Sequence, residues 1–565
     1  MFRRYRIPTA RLALVSAVVL LSVSPPSASG SGAEPVEDGV HVITGLRGHQ
    51  ALDATGGSTA EGADLAQRPV HQGAGQQWSL ISTGDGAFRV VSVHSGLCLD
   101  TDGTADAGAP LRLNPCTAEP RQRWRITPDP AGGHRIGNVA AGTDVASDGT
   151  GTPVLQPPAH HRGDRRWRLT ALPRVGAWAN GVVGKGRSFS AQTIRMVVHA
   201  EATGTAPRIK LSNRYGAAPL TIGRVDVAFQ SSGPSAVVGS HRTATFGGAT
   251  GTTLAAGAEL RTDPLPMPVT AGQNLLVSVY LPATTGPSTW HALAFDTTYI
   301  SRTGDHSGDD SGADYTSSDS SWYFLSGVDL VSTTATGTIV AFGDSITDGS
   351  SSPRGRNQRW PNLLAETLRG EQGERAQGVV NLGIGGNRVV TDSPATVQGV
   401  SGVTRFSADA LDQPGVTAVI LLEGINDIGN NAGPDASPLT ARHLVDGYRS
   451  IVTAAHAKGV KVFGATLLPY RGAAYYTTAG EAIRRQVNDW IRTPGNLDGH
   501  FDTAAALAAD TDPTVLAGAY DSGDHLHPNA AGMRAIADTI DLDAVSPQGA
   551  PDAGAASLAY QESQR

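Results

Sequence analysis

The chain has 565 residues, with 44 lysines and arginines against 51 aspartates and glutamates, for a formal net charge of −7. This length predicts about three or four domains, each large enough to bury a core of its own. This near-neutral balance provides no excess of positive charge of the kind that nucleic-acid-binding proteins have. The two cysteines are too few for a cysteine-ligated zinc or iron–sulfur site, and for a disulfide-dense scaffold.

The first 30 residues have the pattern of a secretory signal. Arginines precede an apolar run from Leu12 to Val23, and small residues follow up to Gly30. The apolar run is about half of the roughly 20 residues that a membrane span needs, which favours a cleaved signal over an anchor. We therefore expect a secreted, extracellular protein without a membrane span. The excess of Arg, Ala and Gly over only four lysines indicates a GC-rich, bacterial coding sequence.

Residues 40–172 contain an internal repeat. Each repeat has a short turn ending in Asp and then a Gln/Arg-x-Trp triplet, and the tryptophans are Trp78, Trp124 and Trp167. The turn aspartates are Asp53, Asp100 and Asp144. Repeats of about 40 residues, made of short strands and Gly-rich turns, predict a closed threefold β unit. The segment resembles a ricin B-type β-trefoil lectin, and the resemblance implies a disulfide between Cys98 and Cys116 in the middle repeat.

The resemblance to these lectins also implies how a repeat would bind sugar. The turn aspartate and the triplet glutamine act together beside an aromatic platform, which points to Asp53 with Gln76 and to Asp100 with Gln122. The third repeat has Arg165 in place of the glutamine, and no aromatic residue stands near the platform positions. A trefoil that keeps its fold and binds nothing is therefore the alternative to carbohydrate binding.

From about residue 175 to residue 335, short apolar segments alternate with turns rich in Gly, Pro and Thr. Several strands at this spacing, with no helical stretch, predict an antiparallel β-sandwich accessory domain. The loop at residues 305–314 contains four aspartates and His306, which could hold calcium. Nothing in the loop fixes the ligand spacing that calcium requires, so a solvated loop is the favoured interpretation.

After Gly337, strands and helices alternate. Apolar, β-branched runs begin at Thr338, Gly378, Val416 and Val460, with helical patterns between and after them. This alternation predicts an α/β/α three-layer domain with a flavodoxin-like parallel sheet at residues 338–545. Residues 546–565 are expected to form a disordered tail.

Candidate catalytic residues stand near both ends of this third region. Ser345 comes just after the first strand, where the reactive crevice of an open α/β sheet lies. A serine nucleophile needs a histidine base, usually oriented by a carboxylate. Asp524 and His527 are three residues apart before a helix, a spacing that lets the carboxylate reach the rear nitrogen of the ring. His525 competes for this role, but its spacing to Asp524 makes the contact difficult.

The loops after the next two strands offer hydrogen-bond donors for a tetrahedral intermediate. Gly386 has a backbone amide that a substrate could reach, and Asn426 has a side-chain amide. Asp344 and Asp427, which flank these blocks, are interpreted as structural supports through hydrogen bonds to neighbouring loops.

Together, the four blocks resemble the SGNH hydrolases, also called GDSL esterases and lipases. The resemblance implies that Ser345 is the nucleophile, that His527 is the general base and acid, and that Asp524 orients His527. It also implies an oxyanion hole formed by the Ser345 amide, the Gly386 amide and the Asn426 side chain. No cofactor is expected.

The substrate is less well defined by the sequence. The family acts on acetylated sugars, lipids, aryl esters and thioesters, so the fold alone does not select one. A lectin-like module beside the hydrolase resembles secreted polysaccharide esterases, including acetyl xylan esterases, and favours O-acetyl groups on a polysaccharide. The alternatives are a lipase or phospholipase for longer acyl chains and a non-catalytic carbohydrate-binding protein. Four side chains either border the cleft or lie in a core: Trp290, His291, Tyr475 and Tyr476.

Overall fold

The computed structural model describes residues 36–103, 106–147, 151–159, 162–373, 376–393 and 396–546. The predicted signal lies outside these ranges, as does the predicted tail apart from Ser546. Within the described ranges, no helix combines the length and the apolar character needed to cross a membrane.

The first region is rich in β-structure. Its described strands, β1 to β12, are in chain order Gly39–Gly45, Gln50–Ala54, Ala63–Pro69, Gln77–Ser82, Phe88–Ser92, Cys98–Asp100, Arg112–Asn114, Arg123–Pro128, His134–Asn138, Asp144–Ser147, Pro153–Gln156 and Trp167–Ala171. All pairings are antiparallel, and β1 pairs with β12, so the first and last strands meet. Cys98 and Cys116 form a disulfide, as the resemblance implied.

The three repeat tryptophans occupy equivalent places in this region. All are fully buried, and each indole N–H donates to a backbone carbonyl at 2.9–3.0 Å; the acceptors are Leu52, Leu99 and Val145. The same bond made three times around one core is consistent with the predicted β-trefoil.

The second region is also antiparallel. Its strands, β13 to β29, are Arg174–Ala179, Val183–Gly186, Gln192–His199, Gly204–Ser212, Leu220–Ile222, Arg224–Ser232, Ser235–Ala236, Arg242–Ala244, Thr252–Leu254, Glu259–Arg261, Pro268–Val269, Asn274–Leu281, Ser288–His291, Thr298–Thr303, Tyr315–Asp319, Trp322–Tyr323 and Leu325–Val331. One sheet has the order β13-β29-β16-β22, and a second has the order β19-β18-β24-β15-β26-β27. Both contribute to one buried apolar cluster, represented by Val328 and Val277.

The third region has a parallel sheet, as predicted. Its strands, β30 to β34, are Thr338–Gly343, Gly378–Gly383, Val416–Leu422, Lys461–Ala465 and Gly499–Phe501, in the spatial order β31-β30-β32-β33-β34. This 2-1-3-4-5 order is that of flavodoxin-like sheets. A small antiparallel pair, β35 (Ala508–Ala509) and β36 (Asp512–Leu516), follows.

Helices flank this parallel sheet. In chain order, α1 to α9 are Ser345–Asp348, Trp360–Gln372, Gly402–Asp409, Ile425–Asn430, Ala441–His456, Thr478–Arg492, Thr503–Leu507, Ala530–Asp538 and Leu542–Val545. Four of them match the predicted helical patterns to within a few residues: α2, α5, α6 and α8. The others are too short to show a clear period in the sequence.

The second and third regions are joined by polar contacts that are largely buried. Lys210 donates to Asp412 at 3.0 Å, and Arg214 pairs with Asp409. Nearer the sheet, the Gly176 amide donates to Thr338 Oγ1 at 2.8 Å. The antiparallel region therefore lies directly against the edge where the parallel sheet begins.

Candidate active site

Three parallel strands end at the same level. Gly343, the last residue of β30, is in register with Gly383 of β31 and Leu422 of β32. A Cβ atom at Gly383 would lie 2.1 Å from the amide nitrogen of Asp348, so only glycine lets α1 approach this closely. The segments that carry Ser345, Gly386 and Asn426 therefore leave the sheet side by side.

Ser345 is the first residue of α1. Asp344 caps the helix by accepting from the amide of Ile346 at 3.0 Å, which fixes the turn between the strand and the helix. The Oγ atom of Ser345 lies 2.8 Å from Nε2 of His527. A histidine at hydrogen-bond distance is the base that a serine nucleophile requires.

Asp524 holds His527 in place. Its Oδ2 atom lies 2.6 Å from Nδ1 of His527, and its Oδ1 atom accepts from the amides of His527 and Leu526 at 2.8 and 2.9 Å. Burial favours the neutral carboxyl, but these hydrogen bonds outweigh it and lower the pKa of Asp524 to about 2. His525 does not share this arrangement, because its Nδ1 atom pairs with Asp521 at 2.6 Å.

Gly386 and Asn426 lie beside the serine and line the same cavity. Gly386 has a φ of 74°, a left-handed conformation that glycine adopts without strain. Asn426 donates one amide hydrogen to the carbonyl of Asn387 at 3.0 Å, and the Tyr475 hydroxyl donates to its Oδ1 atom at 3.5 Å. A carboxamide has two hydrogens, so the second is available to a ligand.

From the oxyanion role that the sequence predicts for Asn426, we expect Asn426→Ala to lower kcat for ester hydrolysis by about 10²- to 10³-fold, because one such donor contributes about 3–4 kcal/mol to the transition state. KM should change much less, since the donor acts mainly on the developing charge. Steady-state kinetics on a p-nitrophenyl ester measure both values. Asn430→Ala is the matched control, because its amide donates to the Asn426 carbonyl at 2.7 Å from outside the cavity.

Two side chains position the loop that contains Gly386. Asp427 accepts from the amides of Val389 and Val390 at 2.8 and 3.1 Å, as expected for a structural support. Arg405, which the sequence did not single out, donates to Asn387 Oδ1 and to the carbonyls of Leu382 and Gly343; these distances are 2.8, 2.7 and 2.9 Å. One planar guanidinium thus joins two strand ends to the loop.

Three buried carboxyls lie behind these strand ends. Burial raises the pKa of Asp344 to about 8 and those of Glu423 and Asp427 to about 7, although hydrogen bonds and Arg405 oppose the shifts. The raised pKa of Asp344 favours its neutral form. A neutral group next to Ser345 does not repel the negative charge that forms when the serine attacks a carbonyl.

The cavity has a volume of about 350 Å³ and is lined mainly by apolar side chains around the polar groups described above. Of the four side chains expected either at the cleft or in a core, His291 and Tyr475 line the cavity. Trp290 stacks on Tyr323 with ring centroids 6.0 Å apart, and Tyr476 packs on Tyr470 at 5.0 Å.

The two predicted sugar-binding pairs of the first region differ in structure. Gln122 donates to Asp100 at 2.8 Å, and both residues are fully buried. Gln76 is fully buried too, but it donates to the carbonyl of Pro69 at 2.9 Å. Asp53 instead pairs with His71, whose side chain is 57 % exposed and was not identified from the sequence.

The predicted turn aspartate of the third repeat is wrong. In the first two repeats, the carbonyl that accepts the indole N–H belongs to the residue just before the aspartate. In the third repeat it belongs to Val145, so Ala146 takes the place of the aspartate. Asp144 lies two residues earlier, on the same face of the strand, and pairs with Arg135 at 3.5 Å.

The acidic loop at residues 305–314 brings His306, Asp309 and Asp314 together, with their candidate ligand atoms within 4.8 Å of one another. Asp314 pairs with Arg302 at 2.8 Å, and two backbone carbonyls of the loop also have a cationic partner. The buried guanidinium of Arg195 donates to the carbonyls of Ser307 and Asp309 at 3.1 and 2.9 Å. These contacts help to hold the loop in its conformation.

Comparison with known families agrees with this geometry. Residues 341–535 match the GDSL-like Lipase/Acylhydrolase family, and residues 32–114 and 86–157 match the Ricin-type beta-trefoil lectin domain-like family. The chain carries a GDSL-like acylhydrolase domain and a ricin-type lectin-like domain. The GDSL-like domain contains Ser345 and His527 and indicates a hydrolase of the ester type.

Several solved structures are similar to parts of the chain. A putative lipolytic protein of the G-D-S-L family from Desulfitobacterium hafniense is 21% identical, with 36% of this chain and 97% of that one covered and a TM-score of 0.27. The designed threefold-symmetric protein ThreeFoil is 28% identical, with 24% and 100% covered and a TM-score of 0.23. An exo-beta-1,3-galactanase from Clostridium thermocellum is 22% identical, with 24% and 31% covered and a TM-score of 0.23. No curated protein matches the chain significantly.

Proposed function

We propose that this protein is a secreted serine esterase that hydrolyses carboxylic esters through an acyl-enzyme intermediate. The observation that supports the proposal most directly is the hydrogen-bonded series from Ser345 to His527 to Asp524, with distances of 2.8 and 2.6 Å, at the wall of a cavity. Nucleophile, base and orienting carboxylate in this arrangement are the requirements for acyl transfer.

In the proposed mechanism, Ser345 Oγ attacks the ester carbonyl carbon while His527 Nε2 takes its proton. The tetrahedral intermediate collapses when the imidazolium of His527 returns that proton to the leaving alcohol oxygen. Water then attacks the acyl-enzyme with the same histidine as its base, which releases the carboxylic acid and restores the serine. Asp524 stays ionised throughout and stabilises the imidazolium.

The negatively charged oxygen of the tetrahedral intermediate needs hydrogen-bond donors directed at it. We assign this role to the amides of Ser345 and Gly386 and to the side chain of Asn426. Ser345 and Asn426 lie near the N-termini of short helices, and Gly386 lies in the turn that Arg405 and Asp427 position. Preorganised donors of this kind usually make the largest single contribution to acyl transfer.

For the substrate, we propose O-acetyl groups on a polysaccharide such as xylan. The ricin-type lectin-like domain in the same chain supports this choice, because a tethered binding module raises the local concentration of substrate. The first region is also attached to the second: Thr205 Oγ1 donates to Gln77 Oε1 at 2.6 Å, and Val40, Leu172 and Val331 share an apolar cluster. We keep Asp53, Gln76, Asp100 and Gln122 as candidate glycan-binding residues.

A lipase-like activity on longer acyl chains is a second candidate. Apart from the catalytic groups, much of the cavity wall is apolar and includes Val183, Ile384 and Leu526. Such a wall suits a hydrocarbon chain better than a sugar hydroxyl.

The same proposal divides the chain into a β-trefoil at residues 40–172, a β-sandwich at 175–335 and a three-layer hydrolase domain at 338–545. Each region has its own hydrogen-bonded sheets and its own main apolar cluster, which supports these boundaries.

The acyl-chain profile distinguishes the two substrates. We would measure kcat/KM on p-nitrophenyl esters from acetate to palmitate, and the release of acetate from acetylated xylan, with the Ser345→Ala protein as the blank. A maximum at acetate together with acetate release from xylan supports the deacetylase. A maximum at eight carbons or longer would overturn it in favour of the lipase, and no hydrolysis of any ester would overturn both.

A further inference from the structure

The cavity at Ser345 is built from two regions of the chain. The GDSL-like region supplies Ile384 and Val397, and the antiparallel region before it supplies Val183 and the segment His291–Leu293. Val183 begins β14, and His291 ends β25, which pairs with it. The antiparallel region therefore forms one wall of the cavity.

This wall packs tightly on the segment that carries Gly386. A methyl group on Gly181 would lie 2.5 Å from Cγ1 of Ile384, and one on Gly399 would lie 2.8 Å from Cγ1 of Val183. Contacts this close leave no room for a solvent layer or for sliding. The wall therefore has a fixed position relative to the proposed oxyanion donors.

His291 joins the wall to the helix of the proposed nucleophile. Its Nε2 atom lies 2.9 Å from Asp348 Oδ1, and its Nδ1 atom lies 2.6 Å from the Gly181 carbonyl. Both partners are acceptors, so the protonated ring, in which both nitrogens donate, fits this position. Burial disfavours this charge, but Asp348 and the Gly181 carbonyl outweigh burial and raise the pKa of His291. Asp348 is the last residue of the helix that begins at Ser345, so the bond to His291 fixes the position of the wall relative to the serine.

Leu293 is the part of the wall that a ligand can reach. It lines the cavity but is 43% exposed, and Val397, which lines the same cavity, is 49% exposed. The side chain of Leu293 also faces Gly385, with Cδ1 3.5 Å from the position of a Cβ there. Leu293 and Val397 present apolar side chains to the cavity, and such a surface suits a hydrocarbon chain.

We propose that Leu293 contacts the acyl chain of the ester and determines the chain length that the enzyme accepts. This inference rests on the proposed function, because the acyl carbonyl must lie between Ser345 and the Gly386 amide for the chain to reach Leu293. A residue of the antiparallel region then helps to select the substrate of the GDSL-like domain.

The test changes the size of this side chain in both directions. We would measure kcat/KM for Leu293→Ala and Leu293→Trp on p-nitrophenyl acetate, butyrate, hexanoate and octanoate. Leu293 occupies space in the cavity beside Gly385, so a smaller side chain leaves room for a longer acyl chain and a larger one removes it. The octanoate-to-acetate ratio should therefore rise in the alanine variant and fall in the tryptophan variant, each by about tenfold or more, since one methylene in an apolar pocket changes selectivity by about 10- to 200-fold.

Leu260→Ala and Leu260→Trp are the matched controls. Leu260 belongs to the same region, is 38% exposed and does not line the cavity, so its variants should keep the wild-type ratio. Melting temperatures identify any variant that does not fold, and the alanine variant decides the question if the tryptophan variant fails.

Two results would overturn the inference. The first is that the Leu293 variants fold but keep the octanoate-to-acetate ratio of the wild-type protein. The other is a change that appears only when the alcohol is varied at constant acetate, which would place Leu293 on the alcohol side. Failure of the proposed function is distinct, because it would appear as undiminished hydrolysis in the Ser345→Ala protein.

Discussion

Replacing Ser345 by alanine should lower kcat for ester hydrolysis by at least about 10⁴-fold, because no acyl-enzyme can form without the hydroxyl. The proposed oxyanion donors and the binding cavity remain, so any residual rate reflects positioning of a water molecule. The measurement is steady-state and single-turnover kinetics on a p-nitrophenyl ester, with the melting temperature and glycan binding of the same preparation.

Ser350→Ala is the matched control for this substitution. Ser350 lines the same cavity and is also close in sequence, but its hydroxyl has no role in the mechanism. Its variant should keep kcat within a few-fold of the wild type. If the Ser345→Ala protein retains a hundredth or more of the wild-type kcat, the nucleophile is a different group.

Asp524→Asn should lower kcat by about 10⁴-fold while the backbone stays in place. An asparagine can still accept from the amides of Leu526 and His527, but its NH₂ group would then face Nδ1 of the ring. His527 would take the other tautomer, with a proton on Nε2 directed at Ser345, and could not act as a base. The kcat/KM ratio measured across pH 5–9 should remain low throughout.

The loop offers a closely matched control in Asp521→Asn. Asp521 holds His525 at 2.6 Å, the same separation as between Asp524 and His527, but this second pair does not reach the serine. We expect a loss of less than about tenfold in kcat for this variant. Equal losses in both variants would show that the loop conformation, rather than the tautomer of His527, is what Asp524 controls.

The catalytic geometry was largely accessible from the sequence because its signals are local. Ser345 follows a strand directly, and Asp524 and His527 share one turn before α8, so strand ends and short spacings selected them. The structure places their side chains within hydrogen-bond distance of one another. The parallel sheet followed from the alternation of strands and helices. The strand β34 was missed because it has only three residues, of which Phe501 alone is buried.

The contacts that hold the candidate site together could not be predicted from the sequence in the same way. Arg405 bonds to Gly343, 62 positions away, and His291 bonds to Asp348 across a change of fold. A single arginine in a helix, or a single histidine at the end of a strand, has no pattern that marks such a partner. The prediction of the turn aspartate in the third repeat was wrong for another reason. Asp144 lies two residues before the equivalent position, and a shift of two residues along a strand keeps every side chain on its original face and leaves the periodicity unchanged.

The contacts between the antiparallel region and the parallel sheet determine which fragment of the chain could be fused to another protein and still keep the proposed activity. A fragment starting at Thr338 would lose the Gly176 amide that binds its first strand, and Asp409 would lose Arg214. Asp412 would lose both of its cationic partners, Lys210 and Arg261. The fragment would also lose the wall that carries Leu293. The smallest transferable unit therefore begins no later than Arg174. The apolar cluster that joins Leu172 to Val331 shows that the ricin-type module is packed on this unit as well.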